Sequence, residues 1–214
     1  MQTPRQPHEP EGSKPSAMDT VRLRRLNRWQ AEGMREDLAD LYVESSATPP
    51  GQEFQDRQEF LRRLAHDVQQ PGFDMLVAEA QSLTGCVFGF PVPRDGSWWR
   101  EFEGPLPQNL EQLTASGHVF AITETVVHPH EHAHGLARRL QERLLADDQA
   151  SLGVTLVDQS DRPARAAFET WGWQEAGRIL RAPTVLCVVL LPLGERTTEH
   201  PDGLAHNART QRPE

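Results

Sequence analysis

A strand-like segment, a turn and the start of a helix follow one another after Phe120, and their residues could bind a phosphate group. The segment FAITETVV is predicted to be a strand, the turn contains Pro129, and the helix begins in the sequence His132-Ala-His-Gly135-Leu-Ala137. Small residues at this spacing keep side chains away from the first amides of the helix, which lack intrahelical acceptors and carry the positive end of the helix dipole. Such amides bind phosphate groups at other strand-turn-helix sites. The glycine-rich nucleotide motifs G-x-G-x-x-G and G-x-x-x-x-G-K-S/T are absent, so a diphosphate site of another kind is indicated.

The segment resembles the phosphate-binding signature of the GNAT superfamily of acetyl-CoA-dependent acyltransferases. That signature is R/Q-x-x-G-x-G/A after a strand that ends in V-x-P, and this chain has Val127-His-Pro before the turn. A second signature of the family, N-x-x-A-x-x-x-Y/F-x-x-x-G-F/W, is similar to the sequence from Asp161 to Trp173. The two motifs occur in the order and spacing of the family.

The resemblance implies that acetyl-CoA is the cofactor and implies which residues would contact it. The diphosphate would lie against the start of the helix, at His132, Ala133, His134, Gly135, Leu136, Ala137 and Arg138. The backbones of Val126 and Val127 would hold the thioester, and Ala164 and Phe168 would flank the pantetheine end.

Three positions depart from the two signatures. His132 stands at the usual basic or amide position, and Asp161 replaces the usual asparagine. Phe168 stands where the family often has a tyrosine, so it has no hydroxyl that could protonate the leaving thiolate. The cofactor contacts and the acid step therefore need a structure.

Glu124 is the candidate general base. An amine must be neutral to attack a thioester, and an alkylammonium group has a pKa of ~10, so a base must help. Glu124 lies in a strand of otherwise nonpolar or small residues, and the resemblance implies a carboxylate on this strand that acts directly or through water. The alternative is a glutamate on the solvent-exposed face of a strand.

Three aromatic residues are assigned to the acceptor side. Trp98 and Trp99 precede the strand of Glu124 and could form a wall that receives a cationic amine by cation–π contact. Packing over the core is an equally open interpretation. Tyr42 is the only tyrosine in the chain and could donate a proton, or it could pack on a helix face.

Histidines and cysteines could also support chemistry. Four histidines alternate across the turn, at His128, His130, His132 and His134. This spacing across a proline turn matches no closed tetrahedral pattern, so we expect no metal. Cys86 and Cys187 lie in nonpolar runs and are expected to be buried free thiols, with a disulfide left open. Cys86 has no base among its neighbours, so a covalent acyl intermediate is not expected there.

Hydrophobic periodicity predicts an α/β fold around these residues. The expected strands are 20–27, 73–80, 84–90, 119–127, 153–157, 174–180 and 184–191, and the expected helices are 31–44, 52–69, 132–146 and 162–170, with a short helix near 109–114. The resemblance implies a mixed central sheet, mostly antiparallel but parallel at its splayed central strands, with helices on both faces.

Composition limits the partners and the domain organisation. The formal net charge is −9, from 22 basic and 31 acidic residues, which argues against nucleic acid and anionic membranes as partners. The polar segments 1–18 and 195–214 are expected to be disordered tails around one domain at 19–194. No nonpolar run is long enough to cross a bilayer, so we expect a soluble cytoplasmic protein. The oligomeric state stays open, a homodimer included.

These observations predict an N-acetyltransferase that transfers an acetyl group directly from acetyl-CoA to a primary amine of a small molecule or peptide. A non-catalytic acyl-CoA sensor is the alternative, because Asp161 and Phe168 depart from the signatures. A histidine-rich metal carrier is a second alternative. The sequence does not identify the acceptor.

Overall fold

The computed structural model describes residues 21–46, 50–147, 150–181 and 183–194, with side chains except at 132–134 and 147. The predicted tails at 1–18 and 195–214 lie outside these ranges, so the domain boundaries stay a prediction. Within the described ranges, no helix has the length and nonpolar character needed to cross a bilayer.

A seven-stranded mixed sheet forms the centre of the molecule. Its strands are β1 Arg22–Leu26, β2 Asp74–Glu79, β3 Leu83–Pro91, β4 Val119–Val127, β5 Leu152–Asp158, β6 Gln174–Arg181 and β7 Thr184–Pro192. They lie in the order β1-β2-β3-β4-β5-β7-β6, and only the β4–β5 pair is parallel. The predicted fold class, a mixed sheet that is mostly antiparallel and parallel in its middle, is confirmed.

Helices cover both faces of this sheet. They are α1 Arg28–Gly33, α2 Arg35–Ser45, α3 Glu53–Asp67, α4 Gln108–Ser116, α5 Leu136–Asp147 and α6 Arg162–Thr170. Helices α2 and α3 bury Leu38 and Phe60 against Phe88 and Val126 on one face. Helix α5 buries Leu140 against Phe120 and Val127 on the other face.

A third core cluster covers the β5–β7–β6 half of the sheet. Leu110 of α4 and Trp99, which precedes α4, pack there with Val119, Ala121 and Ile179. Side chains of neighbouring strand residues point to opposite faces, so Ala121 lies on the face opposite Phe120. Helix α4 and the Trp99 segment therefore share a face with α3, and a cleft remains between them.

Strands β4 and β5 pair over a short length and then separate. The parallel register contains three residue pairs, from Val119 opposite Leu152 to Ala121 opposite Val154. On its other edge, β4 stays paired with β3 as far as Val127. The remainder of β4 thus borders a gap between two halves of the sheet.

A bulge in β4 sets which side chains face the cleft. Phe88 is opposite Glu124 but Gly89 is opposite Ile122, so Thr123 is the extra residue. Gly89 makes this close approach possible, because a Cβ there would collide with the Ala121 carbonyl oxygen.

Most predicted elements agree with the structure, and β4 and α6 agree residue by residue. Two helix predictions were wrong in detail. The helix expected at 31–44 is two helices that meet at Met34, after the poor helix former Gly33. The helix expected from His132 is a short 3-10 helix, Pro129–His134, followed by α5, because Gly135 has a left-handed φ of 66° that interrupts the helix.

We predict that Gly89→Ala destabilises the fold. The added Cβ meets backbone rather than a movable side chain, so the bulge must shift, which typically costs about 1–3 kcal/mol. Gly33→Ala is the matched control, because a Cβ at Gly33 meets no atom within 4 Å. Urea unfolding of both variants tests the prediction, and equal effects would contradict the proposed close approach.

Candidate active site

Glu124 projects from β4 toward α3 and forms an ion pair inside the cleft. The Arg63 guanidinium donates from Nη2 to Glu124 Oε2 at 2.9 Å. The Glu124 side chain is only 20% exposed, so the carboxylate is largely removed from water. It lies on the same face as Val126, two residues further along the strand.

The surroundings of Glu124 favour its neutral form more than those of an ordinary glutamate. Burial raises the pKa of Glu124 to about 6. The charge and hydrogen bond of Arg63 oppose this rise, and the nearby Asp67 carboxylate adds to it. A hydrogen bond from the Thr125 backbone also lowers the pKa, which places the carboxylate close to the exposed edge of β4. A carboxylate with this pKa is mostly ionised at neutral pH and can still accept a proton.

Asp67 is a second carboxylate in the same region. It is 7% exposed and lies one turn after Arg63 on α3. Burial raises the pKa of Asp67, while a hydrogen bond with the Thr123 hydroxyl and the charges of His66 and Arg63 lower it in part. Thr123, the extra residue of the β4 bulge, therefore lies next to the end of α3, and its hydroxyl also donates to the Phe88 carbonyl at 3.4 Å.

A cleft of about 480 Å³ opens beside these groups. Its floor and walls are nonpolar, from β3, β4, β5 and the segment before α4, and its polar groups come mainly from α3. The lining consists of Arg62, Arg63, His66, Asp67, Phe88, Phe90, Trp98, Ile122, Thr123, Glu124, Leu156 and Arg181.

The structure separates the three aromatic residues assigned to the acceptor side. Trp98 lines the cleft. Trp99 is 5% exposed and donates from Nε1 to the Thr114 hydroxyl at 3.0 Å, so it belongs to the core. Tyr42 does not line the cleft but stacks on Phe60 at 4.8 Å, with the Arg63 guanidinium 5.3 Å from its ring centre. Tyr42 therefore packs behind the arginine that pairs with Glu124.

The predicted diphosphate turn lies at the opposite face of the sheet. Gly135 has a left-handed φ of 66°, and its carbonyl accepts the first bond of α5, from the Arg139 amide. The amides of Leu136, Ala137 and Arg138 therefore precede that first bond and point out of the helix start. The Leu136 side chain is buried and Arg138 pairs with Glu142 at 2.6 Å. The side chains of His132, Ala133 and His134 lie outside the described part of the chain.

The hydrogen-bond pattern of β4 shows which backbone groups face the gap. The His128 amide donates to the Thr84 carbonyl, so these residues form a hydrogen-bonded pair with β3. Alternation along an antiparallel ladder then turns the backbone groups of Val126 toward β3 and those of Thr125 and Val127 toward the gap. The backbone groups of Val127 therefore face the gap and those of Val126 face β3, while the thioester contact expected at Val126 and Val127 stays a prediction.

Gln141 of α5 lies beneath the gap with an unused acceptor. The residue is 2% exposed, and its amide nitrogen donates to the Thr125 hydroxyl at 3.1 Å. Its Oε1 is the one buried side-chain oxygen or nitrogen without a hydrogen-bond partner in the described residues. A buried orphan acceptor is costly unless a ligand or water satisfies it.

Ala164 and Phe168 lie on α6, on the same face as α5. Both are partly buried against the core cluster of that face. The Phe168 ring packs 5.4 Å from the rings of Trp171 and Trp173. Asp161 accepts from the Ala164 amide at 2.9 Å and so caps the start of α6. An aspartate at this departure from the signature therefore has a structural role.

Neither the histidines nor the cysteines form a second reactive centre in the described residues. The rings of His128 and His130 stack 4.9 Å apart, and no group of three or more metal-ligating side chains is found in the described part. Both cysteines are buried free thiols. Burial raises the pKa of Cys86 far above its ordinary value, which makes it a poor nucleophile.

Arg63, Asp67 and Arg181 were missed in the sequence. One signal pointed to the first two: they fall on the buried stripe of α3, beside Leu64 and Val68, where a charged residue needs a partner. No comparable signal marks Arg181, the final residue of the edge strand β6, which lines the cleft.

Comparison with known proteins supports the fold through structure alone. No family model matches the sequence, and no curated protein matches it. A putative acetyltransferase of the GNAT family from Desulfovibrio desulfuricans is similar with a TM-score of 0.54 and 15% identity, over 80% of this chain and 98% of that one. PaiA N-acetyltransferase from Thermoplasma acidophilum, solved with coenzyme A, is similar with a TM-score of 0.54 and 10% identity, over 81% of this chain and 99% of that one. YncA, a putative acetyltransferase from Salmonella typhimurium solved with acetyl-CoA, is similar with a TM-score of 0.50 and 18% identity, over 86% of this chain and 98% of that one.

We predict that Glu124 makes the stability of the protein depend on pH. Because its folded pKa is raised to about 6, its contribution is fully present below the pKa of the unfolded chain and is lost as the pH rises through about 6. The loss amounts to about 2 kcal/mol in the free energy of unfolding. Glu124→Gln should remove this component.

Urea unfolding of wild type and Glu124→Gln from about pH 4 to about pH 8 measures it. As the pH rises, the free energy of unfolding of wild type should decrease relative to that of Glu124→Gln. Glu111→Gln on the exposed side of α4 is the control and should give a constant difference. A constant difference for Glu124→Gln as well would contradict the raised pKa.

Proposed function

We propose, on the premise that this chain has the fold of GNAT-family acetyltransferases, that it transfers an acetyl group from acetyl-CoA to a primary amine. The observation that supports this most directly is the position of Glu124. Its carboxylate lies at the edge of β4 where β4 leaves β5, between the cleft on the α3 face and the helix start on the α5 face. Glu124, the proposed base, and the start of α5, the proposed cofactor-binding site, would therefore both border the gap between β4 and β5.

The cofactor would be held by backbone groups of this chain. The amides at the start of α5 suit a diphosphate, because they carry partial positive charge and Gly135 keeps the approach open. The arm of the cofactor would lie in the gap along β4, beside Thr125 and Gln141. Acetyl-CoA supplies the acetyl group as a thioester, whose thiol leaving group has a pKa of ~8.5.

The acceptor would occupy the cleft with its amine beside Glu124. Glu124 takes a proton from the ammonium form, directly or through water, so that the neutral amine can attack. Arg63 positions the carboxylate through the 2.9 Å ion pair and is itself packed against the Tyr42 ring.

No phenol lies at the cofactor side of the described residues. Phe168 is occupied in packing against two tryptophans, and Tyr42 lies behind Arg63. The leaving thiolate would therefore take its proton from solvent or from the amine itself. A thiolate is a good enough leaving group for this, so a missing acid does not argue for the non-catalytic alternative.

We predict that coenzyme A binds at the start of α5, on the order of micromolar affinity. Gly135→Glu places a carboxylate and a strained left-handed residue beside the amides, so affinity should fall at least about tenfold. Gly104→Glu is the control, because Gly104 also has a positive φ, 86°, and open space around it. Isothermal titration calorimetry compares the two, and equal affinities would remove the assignment of this turn.

We also predict that Glu124→Gln lowers turnover by ~10²–10⁴-fold while coenzyme A affinity is retained. The wild-type kcat/KM should rise with pH through about 6, because the base must be ionised to act. The variant should lack this step and keep only the rise that follows the free amine in solution.

The measurement is thiol release across a pH series, with an active amine. Coincident pH profiles for wild type and Glu124→Gln would mean that the amine arrives already neutral and that Glu124 is not the base. Binding of acetyl-CoA without thiol release for any amine would instead favour the sensor.

A further inference from the structure

We propose that the acceptor amine carries an anionic group, a carboxylate or a phosphate, on a nonpolar body. This inference rests on the proposed acetyl transfer and names the substrate class for the same cleft. It follows from how the charges and nonpolar surfaces of the cleft are arranged.

The residues that line the cleft include one more arginine than carboxylate, in a protein that is acidic as a whole, although Glu59 and Glu101 pair with Arg63 and Arg181 from outside the lining. Three arginines line it against two carboxylates, whereas the whole chain carries a formal charge of −9. A local reversal of charge in a cleft concentrates ligand groups of the opposite sign. Here it favours an anion on the acceptor.

The two signs are separated by depth. Glu124 and Asp67 are mostly buried, at 20% and 7% exposure, whereas Arg62 is exposed and the Arg181 side chain is 50% exposed. An acceptor would therefore place its ammonium group inside, at the carboxylates, and its anionic group toward the mouth. Arg63 is 41% exposed and already pairs with Glu124 at 2.9 Å and with Glu59 at 3.6 Å.

The outer arginines are available for such a group. Arg62 forms no ion pair within the part of the chain that the structure describes. Arg181 pairs with Glu101 at 3.3 Å, but both side chains are about half exposed, and exposed pairs of this kind hold little energy. An arriving carboxylate or phosphate can therefore replace Glu101 as the partner of Arg181, and it can also form an ion pair with Arg62.

Five nonpolar residues share the lining with these charges, and three of them, Phe88, Phe90 and Ile122, are buried. The other two are Trp98 and Leu156. A polyamine would place further ammonium groups against this surface and then against Arg62 and Arg181. The cleft thus disfavours polycations by charge and favours an amine with a hydrocarbon or aromatic body.

Matched amines test the proposal by thiol release from acetyl-CoA. L-phenylalanine, its amide and phenethylamine share the ring and the amine but differ in the anionic group. O-phosphoethanolamine and ethanolamine test a phosphate in the same way as the phenylalanine series tests a carboxylate. Spermidine is the polycation. We expect at least about tenfold higher kcat/KM for an anionic member than for its neutral counterpart.

Arginine variants locate the effect. Arg62→Gln and Arg181→Gln should each raise KM for the anionic acceptors about tenfold, with kcat nearly unchanged and neutral amines unaffected. Arg62→Glu should shift the preference toward spermidine. Arg28→Gln is the control, because Arg28 is an exposed arginine that lies over the Trp29 ring and is not among the residues that line the cleft.

The outcomes separate this inference from the proposed function. Turnover that is equal or faster with neutral amines or spermidine would overturn the inference while acetyl transfer stands. An equal loss for all acceptors in the arginine variants would also overturn it, because the arginines would then be structural. If no amine is acetylated, the transfer proposal fails, and calorimetry of L-phenylalanine against phenethylamine still decides whether the cleft selects an anion.

Discussion

The early separation of β4 from β5 is the constraint on which the rest of the site depends. Parallel pairing ends after three residue pairs, while β4 remains joined to β3 and β5 remains joined to β7 along their full lengths. The sheet therefore divides into two halves with a gap between them. The start of α5, the orphan Oε1 of Gln141 and the carboxylate of Glu124 are all placed relative to this gap.

The electrostatics of Glu124 are decided by a competition between burial and Arg63. An ion pair alone would lower the pKa of a carboxyl group, and an exposed arginine partner would leave it near its ordinary value. Here the cost of removing the carboxylate from water is larger, and the neighbouring Asp67 adds to it, so the pKa rises to about 6. The result is a group that is ionised at neutral pH but holds a proton more strongly than an exposed glutamate would. These are the properties that a base for an ammonium group needs.

The departures from the GNAT signatures have local structural reasons. Asp161 caps α6 through the Ala164 amide, a role that aspartate and asparagine fill equally well. Phe168 packs with Trp171 and Trp173 at the end of the same helix, where a phenyl ring buries well without a hydroxyl. Both residues therefore help to hold α6 in place.

The sequence by itself determined the order of the seven strands and the limits of β4 and α6, but it placed the start of the helix after the turn at His132, whereas α5 begins at Leu136. Local patterns carry this information, because strand alternation, helix caps and glycine positions depend on near neighbours. It also singled out Glu124 as a charged residue in a nonpolar strand. Only the tertiary structure decided what surrounds that residue. Arg63 is 61 positions away in the chain, and the choice between Trp98 and Trp99 depends on which ring a short 3-10 turn leaves in the cleft. The bulge at Thr123 depends on how β4 pairs with β3, and so does the direction in which the backbone groups of Val126 point. No local sequence pattern contains this pairing.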